Sequence, residues 1–195
     1  MYHENYIYYM EARDKAWQTL IKCNITSLPI NLATIARLNN ITILKYSDSK
    51  QNLTGDGFSL NVNGVNVIYY NDNKPKARIR FTLAHELGHC LLGHLKFGKT
   101  YNRNSEKDFD GMDIFEMQAN VFARDILMPA TVLHSLDIKS FEDISRICNV
   151  SEQSAKIRYE RLLELEKRNM FNRHPLEKRV YKQFTRYIDN CKSSR

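Results

Sequence analysis

The segment Arg78-Ile79-Arg80-Phe81-Thr82-Leu83-Ala84-His85-Glu86-Leu87-Gly88-His89-Cys90-Leu91-Leu92-Gly93-His94 places Phe81, Ala84, Leu87, Cys90 and Leu91 at the 3–4 spacing of a helix with one apolar face. Thr82 or a residue before it can cap that helix. His85 and His89 lie four apart, so both imidazoles leave the same face about a turn apart. That spacing lets them reach one Zn2+ at about 2.0–2.1 Å. Glu86 sits about 100° round the helix, where it can take a proton from a water on the metal instead of ligating. A chain of this composition contains roughly 0.01 such HExxH patterns by chance. The bland alternative, a core helix with merely polar histidines, would crowd two imidazoles and a carboxylate on one buried face without a partner.

A catalytic zinc site needs a third protein ligand and an open fourth position. His94 is five residues past His89, about 140° away in direction, and is not expected to ligate. It is expected instead to close the helix end, where positive charge suits the dipole. The better third ligand lies in a second helix, 113–128, stopped by Pro129. There Glu116, Ala119, Asn120 and Ala123 share one face, and the small residues permit a close approach to the first helix. Glu116 would complete the metal shell, with Asn120, one turn on, orienting it from behind. On spacing alone, a solvated glutamate on an ordinary helix remains open.

Taken together, Arg80-Phe81-Thr82-Leu83-Ala84-His85-Glu86-Leu87-Gly88-His89, then Glu116, Ala119, Asn120, Phe122 and Ala123, then Leu127-Met128-Pro129 resemble the ImmA/IrrE family of metallo-endopeptidases. These are small bacterial and phage proteins of zincin type that cut or regulate helix-turn-helix repressors. The resemblance covers roughly residues 15–160. It implies that His85, His89 and Glu116 are the metal ligands and Glu86 the general base. It also implies an edge strand that runs over the active-site helix and holds substrate extended; a strand from residues 58–70 is the candidate.

Around these blocks, residues 8–24 read as an amphipathic helix with Ala12, Ala16, Trp17, Leu20 and Ile21 on its buried side. Pro29 opens a short helix with Leu32, Ile35, Ala36 and Leu38 apolar, expected to brace the catalytic helix. Ile41–Tyr46 reads as a strand, and 47–56 as loop. Asn63-Gly64 is a two-residue hairpin turn, which pairs Val62 with Val65, Leu60 with Val67 and Phe58 with Tyr69. That register gathers the large apolar side chains of the first strand on one face and leaves Asn61 and Asn66 on a wet one. Ile68 and Tyr70 break the alternation there, marking either a peptide groove or a covered face.

Residues 95–112 are a polar connector, expected to border the cleft. Its Asp108, Asp110 and Gly111 lack the later acids of a calcium loop. Residues 131–138 are a short apolar stretch. Ser140–Ser151 then leads into a long helix with Ile157, Leu162 and Leu165. Ser151 is its N-cap, in a helix–turn–helix-like pair that equally suits packing on the core.

The 195 residues are 43% hydrophobic and 26% charged, enough apolar content for a sizeable core. No apolar run approaches 18 residues, so no membrane-spanning helix is expected. The N-terminus lacks the basic and small-residue features of a secretory signal. Cys23, Cys90, Cys148 and Cys191 show no metal-like or disulfide-like spacing and fit free thiols in a cytoplasmic protein. Residues 156–195 hold 12 Lys and Arg against 5 Asp and Glu, which is the whole of the net charge of +7. Tyr159, Phe171, Tyr181, Phe184 and Tyr187 are interleaved. Such a segment can grip nucleic acid or an acidic partner, or can be a solvated helical face.

The expected organisation is α+β and zincin-like: a small antiparallel sheet packed on an active-site helix, with helical N- and C-terminal parts. Its segments are a bracing helical stretch 1–40, a metallopeptidase core 41–130, a helix–turn–helix-like segment 131–165 and a basic tail 166–195. The tail is expected to recruit a partner rather than build the core. The expected activity is zinc-dependent cleavage of a peptide bond in a regulatory protein, by resemblance a transcriptional repressor. His94, Tyr101, Arg78 and Arg80 are candidates for a second oxyanion donor. A metal-dependent sensor with little proteolysis and a zinc hydrolase of small molecules are the competing classes.

Overall fold

A computed structural model describes residues 4–47, 55–97 and 112–194. Asn63 and Gly64 adopt φ of 50° and 87°, the left-handed pair of a two-residue hairpin turn whose twist matches the strands. The turn joins β2 (Gly57–Val62) to β3 (Val65–Asn71). The register is the expected one: Val62 faces Val65, Leu60 faces Val67 and Phe58 faces Tyr69. β1 (Ile41–Tyr46) lies on the other side of β3 and runs parallel to it, pairing Thr42 with Val67 and Leu44 with Tyr69. The sheet order is therefore β1-β3-β2, and the sheet is mixed instead of purely antiparallel. The cause is connectivity: the hairpin already occupies one edge of β3, so β1 must take the other, and a whole strand intervenes before the chain returns.

The expected burial of the hairpin holds only in part: Val67 is buried, and Phe58, Leu60 and Tyr69 on its face are half-buried. Ser59 and Ile68, on the face that reads as wet, are fully buried, whereas Val62 and Val65 are exposed. The inner face turns toward α3 (Lys76–Leu92), which lies against both β2 and β3. Ile68 thus belongs to a covered face. Phe58 and Tyr69 stack on the opposite face with ring centroids 5.0 Å apart.

The chain divides into two units, Met1–Lys15 with Leu32–Ala123, and Ala16–Asn31 with Arg124–Arg195. Two of the boundaries fall inside helices, α1 (Glu4–Lys22) and α4 (Met112–Leu127), and the third falls between Asn31 and Leu32. The first unit also contains α2 (Leu32–Leu38) and a 3-10 turn, His94–Phe97. α2 starts three residues after Pro29; it buries Leu32, Ile35 and Ala36 and leaves Leu38 exposed. Of the polar connector and the loop expected over 47–56, residues 98–111 and 48–54 lie outside the described residues, and with them Tyr101 and the Asp108-to-Gly111 pattern.

The second unit contains α5 (Ala130–Ser135), α6 (Phe141–Cys148), α7 (Glu152–Lys167) and α8 (Pro175–Ser193). The Ser140 and Ser151 hydroxyls cap α6 and α7 by accepting from the backbone N–H groups of Asp143 and Ser154. Arg158 sits on the buried face of α7 between Ala155 and Leu162. It donates to Asp125 Oδ1 and to the Met128 carbonyl, both at 2.7 Å. Residues 175–193 of the basic C-terminal segment are a packed helix. α8 buries Val180, Phe184 and Ile188, and Gln183 Nε2 donates to the carbonyls of Leu20 (2.8 Å) and Ile25 (2.6 Å). Its unpaired cations Lys178, Arg179, Lys182 and Arg186 stay on the exposed side. The apolar period of α8 decides this: 180, 184 and 188 form one stripe, and the charges fill the rest of the circumference.

Candidate metal centre

α3 and α4 cross at Gly88. A Cβ there would lie 3.2 Å from Ala119 Cα and 3.2 Å from a ring carbon of Phe122. The missing side chain lets α4 approach closely enough for Glu116 to face the histidines. His85 Nε2 lies 3.0 Å from His89 Nε2. The two Glu116 oxygens divide between them, Oε2 at 3.3 Å from His85 Nε2 and Oε1 at 3.2 Å from His89 Nε2. Among the described residues, these three form a group whose ligand atoms lie within 4.8 Å of one another. Tetrahedral ligands about 2.0–2.1 Å from a metal lie about 3.3–3.4 Å apart, close to the separations seen here.

Hydrogen bonds behind the histidines fix their protons. His85 Nδ1 lies 3.0 Å from Asn120 Oδ1, an acceptor, so Nδ1 carries the proton and Nε2 the lone pair. Asn120 therefore orients His85 and not Glu116. On the other side, Gln118 Nε2 donates to the Tyr8 carbonyl (3.3 Å) and to Glu11 Oε2 (3.2 Å). Its Oε1 is left to accept from His94 Nε2 at 3.1 Å. His94 is buried, and burial, with His89 beside it, lowers its pKa to about 4. It is therefore neutral near pH 7, not the helix-end cation expected from its position. With its proton on Nε2, His94 offers a bare Nδ1 to His89 Nδ1, 3.0 Å away. His89 must donate there, which leaves its own Nε2 bare as well. Two lone pairs and a carboxylate thus converge, and a cation between them removes their repulsion. The residues present fit a divalent metal.

The charges agree. Burial alone would raise the Glu116 carboxyl, but protons on the His85 and His89 rings, the positive charge a metal would replace, hold it well below the ordinary carboxylate range. Burial pushes the Cys90 thiol up to about 12, with Glu86 adding to the rise, and the cysteine next to His89 is not in the group of converging ligand atoms. All four cysteines are free thiols.

Glu86 is buried beside this group but does not join it. Ser59 Oγ, from β2, donates to Glu86 Oε2 at 2.7 Å. Burial raises the Glu86 carboxyl above its ordinary value and Glu116 adds to the rise, while His85, His89 and Ser59 oppose it only in part. The result is a carboxylate with one oxygen held and one free, and a heightened affinity for a proton.

With this geometry in view, the model of the IrrE N-terminal-like domain, a peptidase family, matches residues 37–160. The chain belongs to this IrrE-like family. The family is one of metallopeptidases, and the matched span contains His85, Glu86, His89 and Glu116. No curated protein matches the chain. α1, which supplies Tyr8 and Glu11 behind His94, precedes the matched span.

Three residues of this IrrE-like site escape sequence reasoning: Ser59, Gln118 and, as a neutral hydrogen-bond link, His94. Nothing in a hairpin serine or a helical glutamine signals such a partner, because each acts across a distant contact. Of the oxyanion candidates, His94 is committed to His89 and Gln118, and Arg78 Nε donates to Asp56 Oδ2 at 2.6 Å. No described helix is long and apolar enough to cross a membrane.

Proposed function

We propose that this chain is a zinc-dependent endopeptidase that cleaves a transcriptional repressor of helix-turn-helix type. The observation that carries the hydrolytic reading is a buried, proton-seeking Glu86 beside a His85, His89 and Glu116 donor set. Two imidazoles and one carboxylate are a usual ligand set for catalytic zinc. His85, His89 and Glu116 would hold the ion, with Asn120 and His94 behind the two rings. Bound there, zinc acts as a Lewis acid toward the scissile carbonyl and makes water acidic near neutral pH. Glu86 takes the proton of the attacking water at Oε1, the oxygen Ser59 leaves free, and passes it to the leaving amine nitrogen. β2, an outer strand of the sheet, is the element we assign to hold the substrate extended by main-chain hydrogen bonds.

The repressor as substrate rests on the resemblance of the motif blocks around His85 and Glu116. The exposed cations of α8 add a surface for the nucleic acid such a substrate occupies. The test is co-expression with the repressor encoded nearest to this chain. Cleavage by the wild type and none by Glu86→Gln is the expected result. Equal cleavage by both rejects Glu86 as the base. No cleavage by either, with zinc bound, favours a metal-dependent binding protein.

A further inference from the structure

Outside the ligands, one set of contacts leads from the candidate metal centre to the surface. His89 Nδ1 meets His94 Nδ1 at 3.0 Å, His94 Nε2 meets Gln118 Oε1 at 3.1 Å, and Gln118 Nε2 donates to the Tyr8 carbonyl at 3.3 Å and Glu11 Oε2 at 3.2 Å. His94 and Gln118 are buried, and Glu11 is exposed. We propose that Gln118 and His94 are positioning residues for the ligand His89, aimed by Tyr8 and Glu11 of α1, so that this N-terminal helix is part of the metal centre although it lies outside the family match. This inference rests on reading the centre as metal-binding.

The direction of every hydrogen bond follows from its outer end. A backbone carbonyl only accepts, and so does an ionised carboxylate. Together they hold the Gln118 NH2, which turns its oxygen to His94. That oxygen demands the His94 proton on Nε2, and the bare Nδ1 in turn demands the proton of His89 on Nδ1. The ligand nitrogen is then in its metal-ready form before any ion arrives. Reversing any one link presents an N–H to the metal position. Phe115, next to Glu116, stacks on the His94 ring with centroids 4.4 Å apart and fixes its plane. Hydrogen bonds of this kind, from the far nitrogen of a ligating histidine, typically carry 10–100-fold in metal affinity.

The test uses the full chain. Histidine 15N NMR on the metal-free protein should report His94 with its proton on Nε2 and His89 with its proton on Nδ1. Zinc affinity is then measured by chelator competition, and the visible spectrum of the cobalt(II) form recorded, for Gln118→Leu, His94→Phe and Glu11→Gln. His94→Phe keeps a flat ring on Phe115 but cannot accept a hydrogen bond. It and Gln118→Leu should bind zinc 10–100-fold more weakly and alter the cobalt spectrum, with metal-free melting midpoints near wild type. Glu11→Gln keeps an acceptor oxygen and should stay within a few-fold of wild type. A wild-type His94 protonated on Nδ1 overturns the proposal, and so do unchanged affinity and spectrum in the first two variants. A wild-type chain that takes up no zinc rejects the metal centre itself, and the metal-free tautomers still decide the hydrogen-bond order. If a variant fails to fold, that same wild-type measurement stands.

Discussion

Ser59 on β2 and Glu86 on α3, 27 residues apart in sequence, share a buried 2.7 Å hydrogen bond in which the hydroxyl donates to carboxylate Oε2. The bond ties the outer strand of the sheet to the proposed base. It stabilises the ionised form of Glu86 against burial, which acts the other way. Removing the hydroxyl therefore raises the Glu86 pKa further. A base works only when deprotonated, so the acid limb of the rate profile should move to higher pH in Ser59→Ala. The lost charge-assisted bond should lower kcat/KM roughly tenfold or more at neutral pH. A pH–rate profile of substrate cleavage checks both, and an unmoved limb rejects the role.

Gly88 sets the distance between the ligand-bearing helices. In Gly88→Ala the added methyl meets Ala119 and Phe122 at 3.2 Å, and both are buried. Overpacking of this kind costs about 1–3 kcal/mol. It also pushes Glu116 away from His85 and His89. Zinc affinity should fall by more than the melting midpoint alone suggests, which isothermal titration beside a thermal melt will show.

Asp125 and Arg158 form a buried pair in the second unit. Burial alone would raise the Asp125 carboxyl, but Arg124 and Arg158 hold it below its ordinary value. A depressed folded-state pKa contributes stability that is fully present above the unfolded value of about 3.9 and is lost as pH falls through the folded one. Asp125→Asn removes the carboxylate that balances the buried Arg158 charge and should destabilise by about 3–5 kcal/mol at pH 7. The gap between variant and wild type should close as pH drops below about 4. Urea melts at pH 7 and pH 3.5 measure the difference.

α8 makes two separable predictions. Phe184→Ala empties a fully buried site and should cost about 3–5 kcal/mol, so truncation near Arg168 should lower the melting midpoint sharply. Changing Lys178, Lys182 and Arg186 to Gln should leave that midpoint nearly unchanged, since all three are exposed and unpaired. If they hold duplex phosphates, log Kd for DNA should lose a salt slope of about 0.9 per contact. A salt titration of binding with an unchanged slope rejects nucleic acid as their partner.

The sequence alone determined what is local and periodic. The 3.6-residue period made helices of the segments bearing His85 and Glu116, and Pro129 stopped the second one. Asn63-Gly64 dictated a left-handed turn and thereby the pairing of β2 with β3, register included. Spacing brought His85 and His89 to one helical face, and the resemblance added Glu116. Tertiary structure alone decided which face of the hairpin is covered, because Ser59 and Ile68 are buried only once α3 lies on them. It decided that β1 joins β3 in parallel, that α8 is packed and not free, and that two helices serve two units. Above all it decided the protons. Which nitrogen of His89 is bare depends on His94, Gln118, Glu11 and a backbone carbonyl at Tyr8, groups up to 110 residues apart. Spacing along one chain fixes the direction of a side chain within its own helix; a hydrogen bond across helices depends on where the other helix has packed.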